Sequence, residues 1–235
     1  MTDHQVVTSE EWLAARRQLL AKEKEFTRLR DQLSRARRDL PWEKVAKNYV
    51  FDGPAGPETL AQLFDGRSQL VVYHFMFGPD WDSGCKSCSF WADNFERNVV
   101  HLAARDVTLV AVSRAPFTKL DAFRKRLGWT FKWVSSGGND FNFDYHVSFT
   151  ADELGKGDTY YNYGWAKSSA SERPGISVFF RDGDAIFHTY SCYERGLDMM
   201  NAAYHYLDLV PRGRDEADRR NGPQGWVRYR DSYGR

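Results

Sequence analysis

Cys85 and Cys88, separated by Lys86 and Ser87, are two thiols at a spacing that dithiol redox chemistry uses. They follow an apolar strand predicted over 70–77 and open a helical pattern running from Ser89 to about Ala104. In the first turn of a helix, residues i and i+3 share a face and lie close enough for a short disulfide. The first sulfur also lies near unpaired N–H groups and the positive end of the helix dipole, which favours a thiolate. Lys86 adds positive charge near either sulfur, while Asp80 and Asp82 oppose it if they point inward. The chemistry such a pair supports is thiol–disulfide exchange, in which one thiolate attacks a substrate disulfide and its neighbour resolves the product.

Few other residues could share this chemistry. His74 lies within the strand before the loop; it reads either as a core histidine or as a proton-handling or metal-binding group, and His188 divides the same way. Cys192 reads as a small buried apolar residue or as a third redox centre. A closed zinc site needs four ligands, but only one cysteine pair is present and no HxxxH partner follows it. Cys85 and Cys88 with His74 or Cys192 could form an open site, but the spacing does not support one. Ser89 stands where c-type haem attachment requires histidine, and neither a Gly-rich phosphate loop nor a G-x-S-x-G elbow occurs. No metal or cofactor is expected.

The surrounding pattern is α/β. Thr8-Ser9-Glu10-Glu11 reads as a helix start, and Trp12, Leu19, Phe26 and Leu33 recur every seven residues until Pro41. Its other faces are basic, so this helix either packs on its own domain or forms a homodimer or partner contact. A short strand over 47–51, turn residues 52–57 and a short helix near Leu60 precede the long strand. A second apolar strand over 107–112 completes a βαβ unit, which predicts a parallel pair. Helix 117–127 and strand 130–134 extend the alternation. Residues 135–173 lack periodicity but carry many aromatics, including Tyr145 and Trp165. They read as a lid or pocket wall beside the cysteines, or as a satellite core. A hairpin turns at 181–184, and a final helix is predicted from about Gly196 to Leu207. Three regions result: a helical extension 1–45, a main domain 46–210 and a tail 211–235 with seven arginines, where Trp226, Tyr229 and Tyr233 could anchor it.

Composition narrows the setting. Lys plus Arg total 33 against 32 acidic residues, so no global charge draws the protein to nucleic acid or anionic lipid. No apolar run reaches a membrane-spanning length, and the first residues do not resemble a secretory signal. A cytoplasmic protein is expected, where three cysteines argue against a disulfide framework.

The order strand, CxxC, helix, strand, helix, hairpin and closing helix resembles the thioredoxin fold, near the group that contains peroxiredoxins and membrane-tethered thiol reductases. More narrowly, residues 73–79, 85–93, 177–184, 187–191 and 225–228 resemble the bacterial DUF899 family over nearly the whole chain. The resemblance implies a predicted dithiol-disulfide oxidoreductase with Cys85 attacking and Cys88 resolving. It makes Pro174 the candidate cis-proline facing the disulfide, with backbone groups free to pair with substrate. Two departures stand out. Gly84 replaces the usual tryptophan, although Trp81 is near, and Lys86-Ser87 replaces a pair that commonly includes proline. The expected substrate wall comprises Trp81, Pro174, Tyr145 and Trp165, supported by Lys86 and His74.

Three functions compete. The first is disulfide exchange on a disulfide or small electrophile, with electrons from an unidentified donor. A peroxide reductase is the second; its pattern expects Thr or Ser three positions before the cysteine, where Asp82 stands, with Pro79 six back. The third is a non-catalytic protein binding a small ligand in an aromatic pocket.

Overall fold

The computed structural model describes residues 4–216 and 223–234, and clusters into one unit of residues 1–41 and another of 42–235. The first unit is a single helix, α1 (Ser9–Arg38). Thr8 caps it through a capping box with Glu11, and Arg35, Arg37 and Arg38 oppose the dipole in its last turn. None of its residues is buried, and Trp12, Leu19, Phe26 and Leu33 are all exposed. The division falls after Pro41, four residues before the boundary read from the sequence, because the next strand already pairs inside the main sheet.

In the second unit, β1 (Glu43–Lys44) is followed by β2 (Val50–Gly53), β3 (Gly56–Thr59) and the one-turn helix α2 (Leu60–Leu63). Then come β4 (Gln69–His74), α3 (Lys86–Ala92), α4 (Val99–Ala103), β5 (Val107–Ser113), α5 (Phe117–Leu127) and β6 (Lys132–Ser135). The aromatic segment holds α6 (Phe141–Asp144), α7 (Ala151–Lys156) and a separate hairpin, β7 (Asp158–Tyr161) with β8 (Gly164–Lys167). The chain then continues through β9 (Gly175–Asp182), β10 (Ala185–Tyr193), a 3-10 segment over Glu194–Met200 and α8 (Ala202–Leu207).

Eight strands form one mixed sheet in the order β1-β10-β9-β4-β5-β6-β2-β3. β4, β5 and β6 are parallel, while β9 runs antiparallel to β4 and β10 antiparallel to β9. This is a thioredoxin-like fold. Alternation along β4 divides its side chains between two cores. Val71 and Tyr73 face the cluster containing Cys88, Trp91 and Phe95, whereas Leu70 and Val72 face the cluster containing Phe141, Tyr145 and Phe179.

Two helices expected as continuous are broken. Between α3 and α4, the Asn94 amide donates to the carbonyls of Phe90 and Trp91, and the Asn98 amide donates to the Asn94 carbonyl. Side chains that take backbone acceptors in this way compete with the helical ladder. The Asn94 Oδ1 also accepts the N–H of Ala202. The closing helix is likewise split, because Asn201 caps a new start by accepting the N–H groups of Ala203 and Tyr204. Among the described residues, no helix is long and apolar enough to cross a membrane.

Candidate functional site

β4 delivers the chain to a short loop that turns back against its own end: the Cys85 N–H donates to the Met76 carbonyl at 3.0 Å. Cys85 is the N-cap of α3, half-buried, while Cys88 is fully buried one turn later. Gly84 is required where it stands. A Cβ there would lie 2.8 Å from the Phe75 ring and 3.2 Å from that of Phe123, so the tryptophan common before such cysteines has no room.

Both thiols are free, and their acidities are driven apart. The Cys88 thiol donates to the Cys85 sulfur; this bond, with further donors from the Cys88 and Ser87 N–H groups and the Ser87 hydroxyl, outweighs burial and lowers the Cys85 pKa to about 6. Cys88 is raised well above the usual thiol range, first by burial and then by that same interaction. Two groups oppose this rise: the Met76 N–H at 3.4 Å from its sulfur, and the Tyr73 hydroxyl. Burial and the neighbouring Cys88 keep the Tyr73 phenol protonated and thus able to donate.

Two hollows meet at the pair. A cavity of about 660 Å³ reaches Cys88, Tyr73, Met76, Trp91, Arg173 and Pro174. A second hollow, of about 540 Å³, opens over Cys85 and Lys86, with Gly225, Val227 and Arg228 opposite. Ser87 and Gln224 line both. The late chain is thus part of the site. Tyr229 donates its hydroxyl to the Gly84 carbonyl at 2.7 Å and packs edge-on against Phe123, and Trp226 packs edge-on against Phe90.

The structure separates the residues singled out from the sequence. Cys85, Cys88, Lys86 and Pro174 converge. His74 points to the opposite face of the sheet, where it stacks on Phe141 and Tyr145 and bonds Ser177 at 2.8 Å. Strand alternation puts it back to back with Tyr73. Tyr145 is buried in that same opposite core. Trp165 is exposed on β8 and lines neither hollow. Trp81 packs against the cysteine-side core, with its carbonyl accepting from Lys119, and also lines neither hollow. Pro174 is not a cis-proline; no cis peptide occurs among the described residues. Nor are its neighbouring backbone groups free for substrate, because the Arg173 N–H bonds the Val147 carbonyl and the Pro174 carbonyl accepts the Tyr161 hydroxyl.

Tyr73, Arg173 and Tyr229 are additions to the site. The phase of β4 offered a signal for Tyr73, since it alternates in step with Phe75. Arg173 adjoins the proline already chosen. Among the described residues, no group of three or more His, Cys, Asp or Glu is gathered to hold a metal ion.

A family model described as a bacterial protein of unknown function, DUF899, matches residues 1–233. The chain belongs to the DUF899 family. No curated protein matches this DUF899 chain. Among solved structures, it is similar to a cysteine-to-serine variant of peroxiredoxin Q from Xanthomonas campestris, with 16% identity and a TM-score of 0.47 over 72% of this chain and 98% of the other. A peroxidoxin, BcpB, from Mycobacterium tuberculosis gives 13% identity and a TM-score of 0.45 over 69% and 94% of the two chains. The mitochondrial two-cysteine peroxiredoxin of Plasmodium falciparum gives 13% and 0.44 over 71% and 95%.

Proposed function

We propose that this DUF899 protein is a dithiol-disulfide oxidoreductase in which Cys85 attacks and Cys88 resolves. The observation that carries this reading is the arrangement of the two sulfurs: Cys85 opens to a hollow at the start of α3 and accepts a hydrogen bond from the buried Cys88 thiol behind it. The Cys85 thiolate forms a bond to one sulfur of a substrate disulfide as the S–S bond breaks, and the departing thiolate takes a proton. Cys88 then gives up its proton and attacks the Cys85 sulfur, expelling the second substrate thiol. The substrate gains two electrons and two protons, the protein is left with a Cys85–Cys88 disulfide, and an external dithiol returns it to the reduced state. A reducing cytoplasm suits that cycle.

A depressed pKa for the attacking sulfur makes it a thiolate at neutral pH, while the raised pKa of Cys88 keeps the second thiol in reserve. Mixed-disulfide formation removes the Cys85 thiolate charge and with it the second cause of the raised Cys88 pKa, leaving burial as the remaining one. The order of the two attacks follows from this coupling.

A redox titration of the pair, with single-cysteine variants, tests the proposal. Cys88→Ser is expected to accumulate a mixed disulfide on Cys85, and Cys85→Ser to accumulate none. A pair that stays reduced at potentials between about −270 and −120 mV, the span of dithiol oxidoreductases, would overturn it. Turnover of peroxide by Cys85, with no exchange on disulfides, would replace it by the peroxide-reductase reading.

A further inference from the structure

The cavity beside Cys88 carries six charged side chains, three arginines and three carboxylates, and two of the arginines are held in ion pairs. Asp198 accepts Arg195 at 2.9 Å and Arg214 at 3.0 Å, and Arg214 is held again by Asp208 at 2.7 Å. Glu216 accepts the Tyr204 hydroxyl and the Trp226 indole N–H, both at 2.9 Å. Glu194 accepts the Asn162 amide at 3.0 Å. Arg173 differs. Among the described residues it has no carboxylate partner; its Nη2 donates to the Ser168 hydroxyl at 2.9 Å, and its Nε is buried with no hydrogen-bond partner. Its guanidinium lies 5.6 Å from the Tyr161 ring centre. A guanidinium carries five N–H donors in a planar fork that suits a carboxylate, so most of its capacity is unspent.

We infer that the substrate of the Cys85–Cys88 pair is a small carboxylate-bearing disulfide, and that Arg173 binds its carboxylate. The inference rests on the disulfide-exchange reading above and adds the substrate's charge and size. A hydrogen peroxide molecule needs neither a cavity of about 660 Å³ nor an unpaired guanidinium, whereas a multi-carbon acid needs both. Ser87 and Gln224 line both hollows, so one molecule can lie across them with its sulfur at Cys85 and its acidic end at Arg173. Tyr73, Trp91 and Leu197 supply apolar wall for the carbon chain between. The carboxylate supplies the ion-pair partner that Arg173 lacks among the described residues.

The test compares three disulfides of similar size as oxidants of the reduced full-length protein, followed by loss of free thiol: dithiodipropionate, hydroxyethyl disulfide and cystamine. These are anionic, neutral and cationic. Dithiodipropionate is expected to be preferred over hydroxyethyl disulfide by about tenfold or more in the second-order rate constant of oxidation, carried mainly by a lower half-saturating concentration, with cystamine the poorest. Arg173→Gln is expected to bring the anionic-to-neutral ratio close to one, and Arg173→Lys to restore part of it. The same preference in Arg173→Gln, or a preference for cystamine, overturns the inference. If none of the three oxidises the pair, the disulfide-exchange reading fails. Binding of suberate, a dicarboxylate of the same chain length without sulfur, then decides the carboxylate site separately. Suberate bound by the parent and lost in Arg173→Gln sustains it, and no binding by the parent overturns it.

Discussion

The two faces of the central sheet each bury a polar constellation, and only one of them is placed to react. On the cysteine face, Cys85 and Cys88 meet two hollows, and Tyr73 and Met76 direct donors at the buried sulfur. On the other face, His74 bonds the Ser177 hydroxyl at 2.8 Å, Ser177 bonds Ser191 at 2.9 Å, and Ser191 bonds His188 at 2.7 Å. His188 in turn lies 3.5 Å from the exposed carboxylate of Glu43. Each hydroxyl of that chain is used by its neighbours, the His74 ring stacks on Phe141 and Tyr145 with its Nδ1 buried and unpartnered, and neither hollow beside the cysteines reaches it. Residue type alone would rank His74 above Tyr73 as a chemical group. The phase of β4 reverses the ranking, because one residue's step along a strand is a change of face.

The largest expected contrast comes from one substitution on each face. Cys85→Ala should abolish disulfide exchange. His74→Phe should leave the exchange rate within about twofold while lowering stability by about 1–3 kcal/mol, because the Ser177 hydroxyl loses a buried partner. Exchange kinetics and urea unfolding on both variants check this. Loss of exchange in a folded His74→Phe protein would break the distinction between the faces.

Acid should separate the faces next. Burial, with the nearby His188, lowers the His74 pKa to about 3, so the folded state holds this ring neutral where the unfolded chain binds a proton. The unfolded state then binds more protons between pH 3 and 6.5, and stability must fall as pH falls through that window, by up to about 1.4 kcal/mol per pH unit. Urea midpoints measured from pH 7 to 5 should show this decline, and His74→Phe should flatten it. Cys85 answers to a different pH. Its alkylation by iodoacetamide should rise through a midpoint near pH 6 and level off above it, with or without His74.

How much of this was legible from sequence depends on the range of the physics involved. The CxxC pair, the βαβ unit and the hairpin at 181–184 rest on local pattern, and the strands and sheet agree with them. The break after α3 has no local signature, because Asn94 and Asn98 look neutral in a helical window; their side chains matter only once they take backbone acceptors. Tyr145 and Trp165 stand out in the sequence as aromatics of an irregular segment, but it is Tyr161 from that segment that reaches the cavity side, through the Pro174 carbonyl and the Arg173 guanidinium. No local pattern marks which of several tyrosines a hairpin turns inward. The tail was readable only as a set of anchors. That Tyr229 reaches Gly84, 145 residues earlier, is a product of tertiary packing.

The smallest effect lies inside the cysteine face and tests whether Tyr73 is a tuning residue or merely core. Its hydroxyl favours the thiolate of Cys88 and not that of Cys85, so removing it should act on the second half of the reaction alone. Tyr73→Phe keeps the ring that packs edge-on against Phe75 and Phe95, at 6.2 and 5.0 Å between centres, so the core should survive. The Cys88 pKa should climb further, and resolution of a preformed mixed disulfide on Cys85 should slow by about three- to tenfold, the loss of one buried hydrogen bond to a charged atom. Alkylation of Cys85 should keep its midpoint near pH 6. A merely structural role would slow both steps together or neither. Stopped-flow release of the second thiol, set beside the alkylation profile, distinguishes these results; a shifted Cys85 midpoint would mean that Tyr73 serves the pair as a whole.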